Sequence, residues 1–286
     1  MITTTDYAGD DYRATTAFQK QLKALRKSVA RLPSAGEADR SELDLKVIND
    51  GVVALGDNAD MSEKQLRAKS MYLQRIVTSR RSDCISKWRL GVVPHGQRGG
   101  GEPQTRFPAG KSWTDADWVE MRFHDPKSDG GEFTALSPWL RVYRVRKDLV
   151  ENADRLDWFA AMAEYVKRTE GRRDQAESRP GVYLDLRTND AGYSAPISHT
   201  SIAAQIAAFA RPLLQRAKFR AHRLRGVVES LLEACGFSVI DFCTRAGHKP
   251  RTYVKSYKSA VPLRPRDAWR AHPRRGELRM EEVVFL

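Results

Sequence analysis

Cysteine is scarce in this chain, and its spacing gives no sign of a redox or metal site. The 286 residues contain three cysteines, Cys84, Cys235 and Cys243, and no CxxC pair. An odd number without such spacing argues against a disulfide framework and favours buried structural thiols in a reducing compartment. We therefore expect an intracellular protein.

Long apolar runs and targeting signals are missing as well. No 18 consecutive apolar residues occur, so we expect no membrane span and no membrane partner. The opening residues, MITTTDYAGDDYRATT, have neither the basic region nor the apolar region of a secretory signal. Because there is no HExxH-like spacing and no acidic cluster, we also expect no metal and no cofactor.

Acidic residues are too few to balance the basic ones. The chain has 49 Lys and Arg against 36 Asp and Glu, which gives a formal net charge of +13. The basic residues recur from Lys20 to Arg279 instead of gathering in one tail. This distribution favours a polyanionic partner, most simply nucleic acid, although a basic protein without such a partner stays open.

Apolar residues at spacings of three and four predict several packed helices. LDLKVINDGVVAL and MSEKQLRAKSMYLQRIV show this spacing, and Ser62 can cap the second of them. RLDWFAAMAEYVKRT predicts another helix, and so does the stretch from about Thr200, where we expect Pro212 to interrupt the helix. Near the C-terminus, HRLRGVVESLLEACG and SVIDFCTRAG predict two more, each ending at a glycine.

A smaller set of patterns predicts β-structure. WVEMRFHDPKSDGGEFTAL alternates apolar and polar residues on both sides of DPKSDGG, which is typical of a β-hairpin, and WLRVYRV can continue the sheet. GVYLDL predicts a further strand, whereas residues 91–111, rich in Gly and Pro, are expected to be irregular. The predicted fold class is α+β, mainly α-helical with a small antiparallel β-sheet.

Four polar residues stand in register over the two C-terminal helices and the turns after them. His222 precedes Arg225 by three residues, and His248 and Tyr257 follow in AGHKPRTYVKSY. The two strings HRLR and AGHKPRTYVKSY resemble the HxxR, GH and nucleophile-tyrosine boxes of the tyrosine recombinase (phage-integrase-like) family, at that family's spacing. The family also has an upstream arginine box and a hairpin lysine.

The upstream boxes have counterparts in this sequence. SRRSD offers Arg80 with Asp83 three residues later, and the hairpin tip DPKSDGG offers Lys127. Arg80 stands beside Arg81, and Lys111 or Lys87 could replace Lys127 in that role. Ala246 before Gly247 departs from the family's usual leucine, and the polar KP after His248 is another departure.

The resemblance implies a division of roles for DNA strand cleavage. Arg80 and Arg225 would bind the non-bridging oxygens of a phosphodiester, because a guanidinium stays charged and donates in a planar pair. His222 and His248 would donate to the same oxygens or move the proton of Tyr257, the nucleophile. Lys127 would protonate the leaving oxygen and Asp83 would support Arg80. Tyr253 falls four residues early and is better explained by packing.

The resemblance also implies a domain organisation and a biological setting. It covers about residues 41–260, which are the expected catalytic domain. Residues 1–40 would be a basic helical segment and linker, either a remnant of a DNA-clamping domain or a smaller clamp. Residues 261–286 would be a basic tail. This tail would either dock on a neighbouring subunit or fray. The strings RAHRLRG and SRRSD are most similar to crypton and DIRS-like mobile-element recombinases, which places a eukaryotic element's protein in the nucleus and any other in the cytoplasm or nucleoid.

The leading functional hypothesis is therefore a DNA recombinase or integrase that acts on double-stranded DNA as a homodimer or homotetramer. Two alternatives stay open. One is a DNA-binding protein that retains the fold without turnover, and the other is a monomer that relaxes supercoiled DNA by the same chemistry.

Overall fold

A computed structural model describes residues 43–90, 103–124, 136–173, 182–188, 194–214, 219–258 and 263–286, without the side chains of 186–188 and 263–265. The chain divides into two compact units, Met1–Leu43 and Asp44–Leu286. Every element named below belongs to the second unit. The basic helix predicted near Lys20 lies outside the described residues.

Helices dominate the described chain. They are, in chain order, α1 Leu45–Ala54, α2 Glu63–Thr78, α3 Ser82–Lys87, α4 Ala153–Leu156, α5 Trp158–Thr169, α6 His199–Leu214, α7 His222–Ala234, α8 Val239–Ala246, α9 Pro250–Ser256, α10 Leu263–Ala271 and α11 Met280–Val283. Short 3₁₀ turns follow α5 and α10, at Glu170–Arg172 and Arg275–Glu277. No helix in these described ranges is both long and apolar enough to cross a bilayer.

Two small antiparallel sheets complete the described architecture. The strands are β1 Thr105–Arg106, β2 Trp118–Met121, β3 Leu140–Tyr143, β4 Leu184–Thr188 and β5 Ser194–Pro196. The first three form one sheet in the order β1-β2-β3, and β4 pairs with β5. The predicted α+β class, mainly helical with a small antiparallel sheet, is confirmed. The strand β2 pairs with β3, which comes from the WLRVYRV stretch predicted to continue the sheet. The tip and the second strand of the predicted hairpin, at Phe133 and Ala135, lie outside the described residues.

Two predictions of local structure are wrong. Thr105 and Arg106 form a strand within the segment expected to be irregular, because their backbone pairs with the edge of β2. The helix α6 continues through Pro212 to Leu214 instead of being interrupted there. Pro212 has no N–H, so the backbone hydrogen bond to the Ala208 carbonyl is missing, and the chain keeps its helical course to Leu214 without it.

The helix α2 is the centre of the packing. It contacts α5, α6, α7 and α11, and its residues from Leu66 to Thr78 are buried. The predicted cap is confirmed: the Ser62 side chain accepts from the Gln65 N–H while the Gln65 side chain accepts from the Ser62 N–H. The helix ends at Ser79, whose φ of 53° is left-handed. This turn delivers the chain directly to Arg80.

Lys69 is a buried cation on this central helix. Its side chain is fully buried, and its Nζ has no hydrogen-bond partner among the described residues. Burial, together with the charge of Arg155, lowers the pKa of Lys69 to about 8. In the unfolded chain a lysine keeps a pKa of about 10.4, so the folded state holds the proton less tightly.

Lys69→Met is therefore expected to stabilise the protein by about 2–3 kcal/mol at pH 7, since the cost of a charged buried amine disappears. The gain is full below pH 8 and shrinks as the pH rises from 8 towards 10.4, because the unfolded wild type binds more protons than the folded one in that window. Urea unfolding at pH 7 and pH 9.5 measures it. Lys64→Met, an exposed position on the same helix, is the control and should change stability by less than about 0.5 kcal/mol. A destabilising Lys69→Met would contradict this account.

Aromatic side chains pack beneath the three-stranded sheet. Trp113 lies between Trp88 and Trp158, with ring centroids 6.2 Å and 5.3 Å away. On the outer face, the guanidinium of Arg141 lies 4.3 Å from the centre of the Trp118 ring, and that of Arg106 lies 4.1 Å from the centre of Trp139. These tryptophans therefore pack against protein side chains.

The C-terminal residues fold back onto the same unit. The helix α11 contacts α2, and the Val284 carbonyl accepts from Asn49 Nδ2 at 2.9 Å. Val283 and Phe285 are buried. The tail was expected either to fray or to dock on a neighbouring subunit. Val283, Val284 and Phe285 instead pack against their own chain.

The three cysteines are buried thiols, as predicted. Burial raises the pKa of both Cys235 and Cys243 to about 11. Thiols held in the neutral form at physiological pH are poor nucleophiles, which fits a packing role.

Candidate active site

Arg225 is fully buried in the first turns of α7. Its Nε donates to Glu229 Oε1 at 2.9 Å, and its Nη2 donates to the Ala246 carbonyl at 2.9 Å. Glu229 follows four residues later on the same helix, which brings both side chains onto one face. The remaining nitrogen, Nη1, is buried and has no hydrogen-bond partner among the described residues.

His248 lies directly after the left-handed Gly247 that ends α8. Its side chain is 3% exposed, and its Nε2 lies 3.0 Å from the same Glu229 oxygen that Arg225 contacts. The other ring nitrogen, Nδ1, lies 3.1 Å from the Lys249 carbonyl. The Glu229 carboxylate thus bridges an arginine of α7 and a histidine of the turn after α8.

Tyr257 closes this group of side chains from the end of α9. Its ring centroid lies 5.0 Å from that of His248 and 5.3 Å from that of His222, and Arg225 Cζ lies 4.7 Å from its ring centre. Tyr257 is half-buried, while His222 is exposed. The structure therefore brings four of the predicted site residues together, from α7, from the turn after α8 and from the end of α9.

Gly226 makes the position of Tyr257 possible. A Cβ at this position would lie 2.7 Å from the Tyr257 carbonyl oxygen, closer than any real contact of this kind. Only glycine lets the backbone after α9 approach α7 so closely. Sequence reasoning missed this residue, although it stands directly after Arg225.

Arg80 reaches the same region from the end of α2. It is buried, its Nη2 donates to the Thr244 carbonyl at 3.3 Å, and its Cζ lies 4.9 Å from the centre of the Phe123 ring. The carbonyls of Thr244 and Ala246, which receive Arg80 and Arg225, both lie in the last turn of α8. The last carbonyls of a helix form its negative end, so they suit two guanidiniums, and the Thr244 carbonyl also accepts from the Gly247 N–H at 3.1 Å.

Arg75, which was not predicted as a site residue, contacts the backbone of Arg80. It is buried one turn before the end of α2, and its Nη1 donates to the Arg80 carbonyl. Burial lowers the pKa of Arg75 to about 10, and the charge of Arg225 adds to this effect. A third arginine therefore lies close to the candidate site.

A second buried ion pair fixes α8 to the rest of the unit. Arg245 donates through Nε to the Val77 carbonyl at 2.5 Å and through Nη2 to Glu281 Oε1 at 2.6 Å. Because Arg245 stands between Thr244 and Ala246, this contact sets the position of both acceptor carbonyls. The C-terminal segment thus stabilises the site without entering it.

The remaining predicted residues have different environments. Asp83 forms an ion pair with Lys87 at 3.1 Å on α3, and its proposed support of Arg80 stays a prediction. Lys127 lies outside the described residues, so its role also stays a prediction. Tyr253 is buried with its ring 5.0 Å from that of Phe242, and its hydroxyl donates to Glu233 at 2.7 Å. Burial raises its pKa well above the usual range, which fits a packing residue.

Glu229 is the member of the site that sequence reasoning missed most clearly. The available signal was its spacing, because a carboxylate four residues after an arginine on a helix lies on the same face. What the sequence could not show is that His248, from another element, would contact the same oxygen.

No protein-family model matches the chain, and no curated protein matches it. Among solved structures, XerH site-specific recombinase bound to palindromic difH substrate, in a post-cleavage complex, has 14% identity and a TM-score of 0.49, over 82% of this chain and 54% of that one. XerH bound to difH substrate in a pre-cleavage complex has 14% identity and a TM-score of 0.43, over 78% of this chain and 51% of that one. A crystal structure of XerA recombinase has 11% identity and a TM-score of 0.42, over 74% and 63%. The chain spans about half the length of the XerH chains, and similarity at this level assigns it to no family.

Proposed function

We propose that this chain is a tyrosine recombinase, an enzyme that cuts and rejoins DNA through a covalent 3′-phosphotyrosine intermediate. The observation that supports it most is the placement of the Tyr257 ring against His222, His248 and Arg225. A tyrosine held among two imidazoles and a guanidinium has groups at hand for proton transfer and for phosphate charge.

The proposed reaction is a transesterification. Tyr257 Oη attacks the phosphorus and forms a new P–O bond, the bond to the 5′ oxygen breaks, and the tyrosine proton leaves as the 5′ oxygen gains one. Arg80 and Arg225 stabilise the charge on the non-bridging oxygens, and His222 and His248 donate to these oxygens or carry the tyrosine proton. Lys127 protonates the leaving oxygen, and Asp83 supports Arg80. Rejoining reverses these steps, because the phosphotyrosine stores the bond energy.

DNA binding requires one rearrangement of the free protein. The Tyr257 ring covers the Arg225 guanidinium at 4.7 Å, and Arg225 Nη1 is buried. A phosphate oxygen meets this nitrogen only after the ring moves aside.

The biological setting is proposed from the sequence. The net charge of +13 supports double-stranded DNA as the partner, and strand exchange calls for a dimer or tetramer on paired sites. The similarity of the strings RAHRLRG and SRRSD supports a protein of a crypton or DIRS-like mobile element, which acts in the nucleus of a eukaryotic host and in the cytoplasm or nucleoid of any other host. We assign residues 41–260 to catalysis, 1–40 to a remnant of a DNA clamp and 261–286 to a basic tail.

Covalent trapping tests the proposal. The wild-type protein is incubated with nicked duplexes, in which the cleaved 5′-hydroxyl fragment diffuses away and rejoining is blocked, and the products are separated on a denaturing gel. The duplexes come from a random pool enriched for binding and from DNA flanking the gene. We expect a DNA-linked protein band that resists denaturation.

Two other results would contradict the proposal. Tight binding of the enriched duplexes without any adduct would indicate a DNA-binding protein without turnover. Absence of binding would remove nucleic acid as the partner. Relaxation of a supercoiled plasmid that carries no paired sites would instead assign the same chemistry to a monomer.

A further inference from the structure

Glu229 is the centre of the contacts in the candidate site. Its side chain is fully buried, and its Oε1 accepts from Arg225 Nε at 2.9 Å and contacts His248 Nε2 at 3.0 Å. A carboxylate is buried at this depth only when cations or donors compensate the loss of water. One oxygen therefore ties together two groups that come from different elements.

The contact with Arg225 selects one edge of the guanidinium. Because Glu229 takes Nε and the Ala246 carbonyl takes Nη2, the plane of the guanidinium is fixed by two hydrogen bonds. Nη1 remains without a described partner. The guanidinium of Arg225, with Nη1 left to donate to a phosphate oxygen, is thus oriented before any ligand binds.

The contact with Glu229 helps to orient the His248 ring. Nε2 faces the carboxylate oxygen at 3.0 Å, and Nδ1 faces the Lys249 carbonyl at 3.1 Å. The ring is therefore held by an oxygen at each of its two nitrogens. The face of this ring lies against Tyr257, with centroids 5.0 Å apart.

We propose that Glu229 is a positioning residue of the site, which fixes Arg225 and His248 relative to each other beside Tyr257. This inference rests on the proposed function for its effect on rate. Glu229 and Arg225 share one helix at i and i+4 and are both fully buried, so they stay together when DNA binds. The alternative is that Glu229 only blocks Arg225 and His248 in the free protein. In that case DNA binding would have to separate Glu229 from Arg225.

Glu229→Gln tests this role, since glutamine keeps the shape and removes the charge. Glu233→Gln is the matched control, one turn later on α7, where the carboxylate contacts Tyr253 Oη at 2.7 Å and Lys258 Nζ at 3.0 Å. The rate of adduct formation is measured in a single turnover together with the DNA affinity. We expect the rate of Glu229→Gln to fall about 100-fold, the lower end of what one positioned proton donor contributes, with DNA affinity within about twofold. Glu233→Gln should keep the wild-type rate.

Nitrogen NMR of the His248 ring tests the same inference on the free protein. We expect the Nε2 signal of Glu233→Gln to match that of the wild type, and the Nε2 signal of Glu229→Gln to shift, because this nitrogen contacts the Glu229 carboxylate. A carboxylate that does not position His248 would leave the signals of both ring nitrogens unchanged. If Glu229→Gln fails to fold, Glu229→Asp replaces it, because aspartate keeps the charge but withdraws the oxygen by one methylene, and the same loss of rate is expected.

Each result separates the possibilities. A wild-type rate in Glu229→Gln with unchanged His248 ring signals would overturn the inference. A faster rate would also overturn it, because Glu229 would then only block the two groups in the free protein. If the wild type forms no adduct, the proposed function fails, and the NMR comparison alone then decides whether Glu229 positions His248.

Discussion

Tyr257→Phe is expected to bind DNA as tightly as the wild type and to form no covalent adduct with it. Phenylalanine keeps the ring that lies against His222 and His248 but has no oxygen to attack a phosphorus. The loss of adduct should therefore be complete, while the free energy of unfolding changes by less than about 1 kcal/mol. Covalent trapping on a denaturing gel and a binding assay on the same DNA measure both effects.

Tyr253→Phe is the matched control for this variant. Tyr253 stands on the preceding turn of α9 and donates to Glu233, so its removal should lower stability by about 1–2 kcal/mol through the lost hydrogen bond to a charged group. The adduct should still form at the wild-type level. An adduct in Tyr257→Phe that disappears in Tyr253→Phe would assign the nucleophile to the other tyrosine.

Arg225→Met is expected to destabilise the protein by about 3–5 kcal/mol, because it leaves the Glu229 carboxylate buried without its cation. Native domains have only about 5–15 kcal/mol of stability, so this is a large fraction of the total. Urea unfolding followed by circular dichroism measures it. Adduct formation should be lost in the same variant, because Arg225 is proposed to stabilise the charge on the non-bridging oxygens of the phosphate.

A double variant separates the charge effect from the loss of packing. Arg225→Met with Glu229→Met removes both charges, so it should recover at least half of the lost stability while adduct formation stays absent. Lys258→Met serves as the control for an exposed pair, since Lys258 contacts Glu233 at 3.0 Å at the surface and should contribute less than about 1 kcal/mol. An Arg225→Met variant no less stable than Lys258→Met would contradict the buried ion pair.

The elements with a long periodic pattern were predictable from the sequence. The helix α2 and its cap at Ser62 follow from apolar spacing and from a serine three residues before a glutamine. The turn at Gly247, which carries His248 to the site, follows from a glycine at the end of a short apolar stripe. These two elements directly precede Arg80 and His248, so they position two of the predicted site residues.

The short strands were not predictable. The strand β1 has two residues and β5 has three, too few to show an alternation of period two. Their backbone is ordered by a neighbouring strand, which is a tertiary effect. Pro212 was misjudged because a proline can be accommodated within a helix at the loss of one backbone hydrogen bond, so its presence alone does not mark a break.

The site itself was predictable as a set of side chains and not as a network. The sequence favoured Arg80 over its neighbour Arg81 through the spacing to Asp83, and the structure separates the two by burial, since Arg80 is 3% exposed and Arg81 is half-buried. Glu229 and Gly226 were missed because their roles depend on His248 and on the Tyr257 carbonyl, which come from other elements. Contacts between elements leave no periodic signal in the chain.

The most direct test of the account is to identify the residue that carries DNA in a trapped adduct. After nuclease treatment the protein is cut with trypsin, which cleaves after Arg251, Lys255 and Lys258 and so places Tyr253 and Tyr257 in different peptides. Mass spectrometry should find a nucleotide attached to the peptide Ser256–Lys258 through a phosphate. A nucleotide on any other peptide would contradict the assignment of Tyr257 as the nucleophile.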